Sequence, residues 1–390
     1  MKLPKGLSKD TYILAFASLF SDISTEMLYP VLPIFITSVL KDSPAIVGVI
    51  EGAATAVQYI IQGFSGWLAD KFKAKKYIAL FGYTLTALAK PFIGLSVNWP
   101  QVLLGRFTDR LGAGIRSAPR DALIAGSADE NARGRAFGLE GIGDNAGAFV
   151  GPLVAIVLLF FFKVNIRSIF YLAFIPGIAA LLLITLVKEK KAAHIQKTQL
   201  HFSLAAFPRS YWIYLGITAL FGLGNSSNAF LILQARSLGI PLIITICIYA
   251  GFNLAAAAIS YPAGSLSDKL GRKYLLLAGF AIFAITYLGF ALSHSVILIG
   301  ALFVFYGIYS GLYRAVGKAF ATDNIAQELR ASAIGIYSTV VGITSLLANI
   351  IGGQLWTRVS PSATFLWGVG FALVAILASS FFTTSRIESS

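Results

Sequence analysis

The sequence predicts an all-α membrane protein in which twelve spanning helices form two pseudo-symmetric six-helix bundles. The first observation is composition, because 57% of the 390 residues are hydrophobic and only 12% are charged. A soluble chain of this length needs far more polar surface. The second is an internal repeat, since the pattern Gly-x-Leu-[Ala/Ser]-Asp-Lys occurs at 66–71 and again at 264–269, 198 positions later. An offset of about half the chain indicates a duplication.

Apolar segments long enough to cross a bilayer occur twelve times along the chain. A spanning helix needs about 20 mainly apolar residues. The segment 101–122 is too charged to score well and is included because 296–321, its counterpart in the second half, is clearly apolar. The predicted spans are 11–38, 45–68, 77–97, 101–122, 135–160, 167–187, 211–234, 241–264, 274–293, 296–321, 331–354 and 362–383. The predicted domains are a first bundle at 1–187, a polar cytoplasmic linker at 188–209 and a second bundle at 210–390.

The basic residues give the expected orientation and exclude some partners. Most of the 31 Lys and Arg residues fall on the N-terminal side of the membrane, which predicts an inner-membrane protein with both termini in the cytoplasm. The net charge of +14 does not indicate nucleic-acid binding, because the basic residues are spread through loops. Cys247 is the single cysteine, so a disulfide framework is excluded. We expect a monomer whose partners are the lipid bilayer, protons and a small-molecule substrate.

The repeated pattern lies between two apolar spans in each half, where its charges must sit in the water layer. It resembles motif A of the major facilitator superfamily, the two-half secondary transporters. On the fifth span, Gly147-Ala-Phe-Val-Gly151-Pro152 resembles motif C of the drug/proton antiporter branch. These resemblances imply the major facilitator fold, alternating access and proton antiport. They also imply a gating role for Asp70, Lys71, Asp268, Lys269, Arg272, Gly151 and Pro152.

Ionisable residues inside the spans are the informative ones, because each costs about 2.5 to 3.5 kcal/mol or more in a bilayer. The first half holds six acids and five bases in its spans, and the spans of the second half hold no acid. Asp22 and Glu26 are four residues apart on one helix face, with Asp22 close to the bilayer centre. Glu140 and Asp144 repeat this spacing. The bases are Lys90, Arg106, Arg110, Arg116 and Arg120.

We predict a proton-coupling set among these groups, led by Asp22 and Glu26. By depth along the helices, Arg110 is level with Asp22 and Asp144, and Arg116 is level with Glu140, so ion pairs between them are expected. Arg106 resembles the arginine of motif B, which is associated with proton transfer in the superfamily's antiporters. The predicted coupling residues are Asp22, Glu26, Glu140, Asp144, Arg106 and Arg110. A purely structural role for Lys90, Arg116, Arg120 and Glu140 stays open.

The substrate site is predicted where the acids of the first half face neutral polar groups of the second. The predicted binding residues are Asp22, Glu26, Glu51, Asp109, Arg110, Asn225, Asn228, Asn253, Tyr306 and Tyr309. The expected function is proton-coupled transport of a small organic solute, with efflux by antiport. The alternative is a metal ion or metal chelate as cargo, because acids can ligate a hard cation. A membrane enzyme or receptor would need a nucleophile–base pair or a large soluble domain, and the sequence indicates neither. No resident metal and no cofactor beyond the proton gradient are expected.

Overall fold

The computed structural model describes residues 6–72, 74–189, 206–323, 325–326 and 329–380. Within that part of the chain twelve long helices follow one another without a strand. Their bounds are α1 Lys9–Val39, α2 Pro44–Phe72, α3 Lys75–Leu95, α4 Trp99–Gly126, α5 Arg133–Phe160, α6 Ile166–Leu186, α7 Arg209–Ser237, α8 Leu242–Leu270, α9 Arg272–Leu292, α10 Val296–Ala321, α11 Arg330–Arg358 and α12 Pro361–Ser380. Each predicted span corresponds to one of these helices. Most of the predicted linker, 190–205, lies outside the described residues.

Eleven of the described helices are apolar enough to cross a membrane. The exception is α4, whose charged residues were expected to lower its hydropathy. Its partner α10 is a clear span, and α4 packs between α2 and α3 within the first half. Large apolar side chains cover the outer surface, among them Phe16, Leu104, Ile142 and Ile285. Such a surface suits contact with lipid rather than water.

Two of the helices are interrupted. The regular part of α1 ends at Leu28, and the chain resumes as a short turn at Leu32–Ile34 and a π turn at Phe35–Val39. Pro30 and Pro33 explain this break, since proline cannot donate the helical hydrogen bond. The first piece of α7 ends at Gly224 and the second begins at Asn228. The break in α7 contains no proline, and the sequence did not predict it.

The two halves, α1–α6 and α7–α12, differ in what fills them. In the first half the fully buried side chains include Lys90 and Arg106, which are 0% and 1% exposed. In the second half the interior is aromatic, and Phe221, Phe283 and Tyr287 are all fully buried. Phe283 stacks on Tyr287 with ring centroids 4.0 Å apart. The charged chemistry therefore lies in the first half, as the distribution of acids predicted.

Small residues bring helices of the two halves into direct contact. A Cβ added to Gly52 or Gly342 would meet the facing helix, which shows that α2 and α11 pack backbone to backbone. The same contact continues to Gly63 and Gly335 at one end of this seam. A second, shorter contact joins α5 to α8, where Asn253 donates to the Ala148 carbonyl at 2.8 Å. Stripes of small residues are the usual way for membrane helices to approach closely.

Candidate functional site

Glycines on α5 set the position of the two acids on α1. Gly143, Gly147 and Gly151 recur every four residues, so they lie along one face of α5. A Cβ at Gly147 would lie 2.6 Å from the Leu19 carbonyl oxygen, and one at Gly151 would lie 2.8 Å from the Cβ of Glu26. The backbones of α1 and α5 therefore touch. This contact brings Asp22 of α1 close to Asp144 of α5 and Glu26 close to Gly151.

A polar cavity of about 240 Å³ opens beside this contact. All of its lining residues belong to the first half, and most of them are charged or hydrogen-bonding. They are Asp22, Thr25, Glu26, Gln58, Thr86, Asp109, Arg110, Ala113, Arg116, Ser117, Arg120 and Asp144. Because α1 and α4 run in opposite directions, Glu26 and Asp109 mark one end of the cavity and Arg120 the other. Arg120 lies toward the side of the bundle where α1 begins, which we call the termini side.

Beyond Glu26 the bundle is closed on the side away from the termini. Leu28, Leu32 and Phe35 at the broken end of α1 are no more than 1% exposed. The short piece of α1 packs there against the second piece of α7. Apolar side chains therefore seal the cavity from that side, while its charged lining extends toward the termini side.

A buried ion-pair network lies beside the cavity and reaches it through Asp109 and Arg110. Arg106 contacts Glu51 through Nε–Oε1 at 2.9 Å and Asp109 through Nη1–Oδ2 at 2.9 Å. Asp109 also contacts Lys90 at 3.3 Å and Arg110 at 3.5 Å. Two acids and three bases thus satisfy one another across α2, α3 and α4. Buried charges persist in a bilayer when they are paired in this way.

A second ionic cluster lies at the termini side of the cavity. Arg120 contacts Glu140 at 2.8 Å, Asp121 at 3.3 Å and Asp144 at 3.7 Å. Its Nη1 also donates to the Ser18 hydroxyl at 3.2 Å. Arg120 therefore connects α4 to α5 through Glu140 and Asp144 and to α1 through the Ser18 hydroxyl.

The expected ion pairs of Arg110 and Arg116 are replaced by others. Arg110 contacts Asp109 and Gln58 rather than Asp22 or Asp144. Arg120, one helical turn beyond Arg116, pairs with Glu140 in its place. A depth count along a helix fixes the level of a side chain only to about one turn, and it leaves the rotation of the helix open.

Arg116 is held differently from the other cavity arginines. Its guanidinium carbon lies 4.4 Å from the centroid of the Tyr83 ring, in cation–π geometry. The residue is only 8% exposed. Its Nε and Nη1 atoms are buried and have no hydrogen-bond partner among the described residues, and neither has Oδ1 of Asp144. Two residues that line the cavity, Arg116 and Asp144, therefore carry a donor group and an acceptor without a hydrogen bond among the described residues.

Two first-half carboxylates make hydrogen bonds to the second half. Glu26 Oε2 accepts from the Tyr249 hydroxyl at 2.9 Å and from the Asn253 amide at 3.4 Å. Ser227 lies 3.0 Å from the Tyr29 hydroxyl and 3.5 Å from Glu51. Tyr29 and Ser227 are 198 positions apart, the offset of the repeated pattern. Residues related by the duplication thus meet where the halves meet.

The other predicted binding residues of the second half are not among the side chains that line this cavity. Tyr306 and Tyr309 are 3% and 2% exposed and belong to the aromatic interior around Phe283. Asn225 and Asn228 flank the break in α7 and are half-buried. Glu51, also predicted to bind substrate, is buried in the ion-pair network and does not line the cavity.

The predicted gating residues are partly described. The side chains of Asp70, Lys71 and Asp268 lie outside the described part of the structure. Gly271 has a φ of +92° and forms the turn between α8 and α9, a conformation that glycine adopts without strain. Arg272 then bonds to Asp323 and to the Ala319 carbonyl at the end of α10, while Lys269 is exposed. Gly151 and Pro152 are buried in α5.

Several cavity residues were not predicted from the sequence. Gln58, Thr25, Thr86 and Ser117 are neutral and resemble the many polar residues that satisfy themselves within a helix. Gln58 alone carried a usable signal, because a long amide side chain in an otherwise apolar span needs partners. Here its oxygen accepts from Arg110 at 3.4 Å.

Two helical halves in a membrane protein, with a charge-lined cavity in the first of them, are typical of secondary transporters. The Major Facilitator Superfamily model matches residues 14–233 and 213–390, and the chain belongs to this superfamily. It is a transporter and not an enzyme.

Similar proteins share the whole length of the chain. An uncharacterised MFS-type transporter of Methanocaldococcus jannaschii is 35% identical over 377 residues, covering 95% of this chain and 94% of its own. The quinolone resistance protein NorA of Staphylococcus aureus is 25% identical, with 95% and 96% covered. The crystal structure of the nucleoside transporter NupG, in a D323A variant, superposes with a TM-score of 0.78 at 15% identity, covering 95% of this chain and 99% of that one. This last likeness concerns the fold.

Proposed function

We propose that this protein is a proton-coupled antiporter that exports a small organic solute by alternating access. The observation that carries the proposal is the place of Asp22. It lines the cavity, and no ion pair holds it among the described residues, whereas Asp109 and Glu140 are each paired with a base. A cavity carboxyl group without a direct ion pair is the group best placed to bind and release a proton there.

Glu26 provides the connection between proton binding and movement of the halves. As a carboxylate it accepts hydrogen bonds from Tyr249 and Asn253 of α8. When Glu26 binds a proton, it can no longer accept both of these hydrogen bonds in the same way. Protonation therefore changes the hydrogen bonds between the two halves. Differential contacts of this kind are what a coupled transporter needs.

The direction of transport rests on the sequence and on one relative. Motif C of the drug/proton antiporter branch and the likeness to a quinolone resistance protein both support efflux. The basic residues support an inner-membrane location with both termini in the cytoplasm, and we propose that the protein works as a monomer. On that orientation the cavity extends toward the cytoplasm. Among the described residues no group of three or more potential ligands is placed to hold a metal ion, so the metal alternative gains no support.

The test is gradient-driven transport in proteoliposomes. A fluorescent quinolone and a library of small solutes are offered to wild type, Asp22→Asn and Glu26→Gln under an imposed pH gradient. We expect wild type to accumulate at least one solute against its gradient, and each variant to keep exchange but lose proton-driven accumulation. Undiminished accumulation in both variants and in the double variant contradicts the role of these acids. If the wild type moves no solute in response to the gradient, proton antiport itself is wrong.

A further inference from the structure

The cavity is lined by groups of opposite charge that lack hydrogen-bond partners among the described residues. Among the bases, Arg110 is paired with Asp109 and Arg120 is paired with Glu140. Arg116 has two buried nitrogen atoms that lack a hydrogen-bond acceptor among the described residues. On the acidic side, Asp22 has no ion pair among the described residues. Oδ1 of Asp144 has no hydrogen-bond donor among them, and its ion-pair contact with Nη1 of Arg120 is long, at 3.7 Å.

Neither a simple cation nor a simple anion satisfies this arrangement. A cation beside Asp22 and Asp144 leaves the N–H groups of Arg116 without an acceptor, and Arg116 repels it. An anion on Arg116 faces both carboxylates instead. A buried polar group without its partner costs free energy, and the cost is larger for a charged one.

We infer that the cargo of this cavity is a small zwitterion, whose acid group binds the guanidinium of Arg116 and whose protonated amine lies beside Asp22 and Asp144. The guanidinium carbon of Arg116 lies over the ring of Tyr83, and an aromatic contact of this kind helps to preorganise a guanidinium for a carboxylate. The volume of about 240 Å³ is below the usual range of about 300 to 1,000 Å³ for pockets that hold drug-sized ligands, which favours a small molecule.

This inference rests on the proposed function, because it assigns a cargo to the same cavity. It is also consistent with antiport. An ammonium group beside Asp22 competes with a proton for the same carboxylate, so substrate and proton exclude one another. A purely anionic cargo would instead favour proton binding and transport in the same direction.

The experiment compares matched compounds that differ only in charge. Purified full-length protein in detergent is titrated with leucine and 6-aminohexanoate, with their amides, which are cations, and with their N-acetyl forms, which are anions. Binding is followed by isothermal calorimetry and by the midpoint of thermal unfolding. We expect at least one zwitterion to bind, and both of its blocked forms to bind at least about tenfold more weakly.

Substitutions locate the effect. Arg116→Met is expected to weaken the zwitterion by about tenfold or more, whereas Arg209→Met, which removes an exposed arginine outside the cavity, leaves affinity unchanged. The inference is overturned if no zwitterion binds, if a blocked form binds as tightly as its parent, or if Arg116→Met binds normally. The comparison of compounds on the wild-type protein needs no variant, so it remains a valid test even if Arg116→Met does not fold.

The binding measurement uses no pH gradient, so it tests the identity of the cargo independently of proton antiport. Zwitterion binding without proton-driven transport would retain the cargo and reject antiport. Proton-driven transport of a solute that lacks one of the two charges would retain antiport and reject this cargo.

Discussion

Removing Arg106 tests whether the buried network holds the first half together. Arg106 is 1% exposed, and its side chain is the one cation within ion-pair distance of Glu51 among the described residues. Arg106→Met leaves the Glu51 carboxylate, among the described residues, with one hydrogen bond, from the Ser227 hydroxyl at 3.5 Å. Asp109, by contrast, keeps Lys90 and Arg110.

The expected loss of stability follows from the burial of the pair. Breaking a buried ion pair by removing one partner costs about 3 to 5 kcal/mol, largely because the other charge stays buried without compensation. Adding Glu51→Gln removes that charge, so the double variant should recover most of the loss. Asp121→Asn is the matched control, because Asp121 meets Arg120 with its side chain 47% exposed, and a pair so exposed is worth about 0 to 1 kcal/mol.

The assay is denaturant unfolding of purified protein in detergent micelles, followed by intrinsic tryptophan fluorescence. The expected order of stability is wild type close to Asp121→Asn, then the double variant, then Arg106→Met. An Arg106→Met variant as stable as Asp121→Asn, or a double variant less stable than the single one, would refute the reasoning.

Two further predictions concern helix packing and the contact between the halves. Gly147→Ala places a Cβ 2.6 Å from the Leu19 carbonyl oxygen and should cost about 1 to 3 kcal/mol, whereas Gly141→Ala on the same helix meets nothing within 4 Å and should be neutral or slightly stabilising in the same unfolding assay. Tyr249→Phe removes the hydroxyl that donates to Glu26 at 2.9 Å. It should increase labelling of cysteines introduced on the closed side of the cavity, and labelling equal to wild type would contradict a role for that bond in closure.

The fold could be predicted from the sequence because its main signals are local. Twelve apolar segments, a repeat offset of 198 and two prolines in α1 required no knowledge of distant contacts. The break at Asn225 in α7 was missed because Asn and Ser are tolerated within helices as well as between them. Here the break is stabilised from elsewhere, by Asn349 of α11, which accepts from the Ser227 amide at 2.8 Å.

The site was predictable in composition but not in its pairing. Counting acids and bases placed the charged chemistry in the first half, and Asp22 and Glu26 do line the cavity. Which base meets which acid depends on helix rotation, and Arg116 and Arg120 lie on nearly the same face of α4, one turn apart. Sequence spacing alone could not show that Arg120 forms the ion pairs with the acids of α5 while Arg116 makes a cation–π contact with Tyr83.

The seam of small residues between α2 and α11 determines where motion between the halves is smallest. Backbones that touch at Gly52, Gly342, Gly63 and Gly335 leave few side chains that must rearrange, so this line can act as the axis of a rocking movement. In such a movement, the displacement of a residue grows with its distance from the rotation axis. Two spectroscopic labels placed on opposite sides of the seam should therefore keep a constant separation through the transport cycle. That distance can serve as the internal reference for measuring how far the halves open elsewhere.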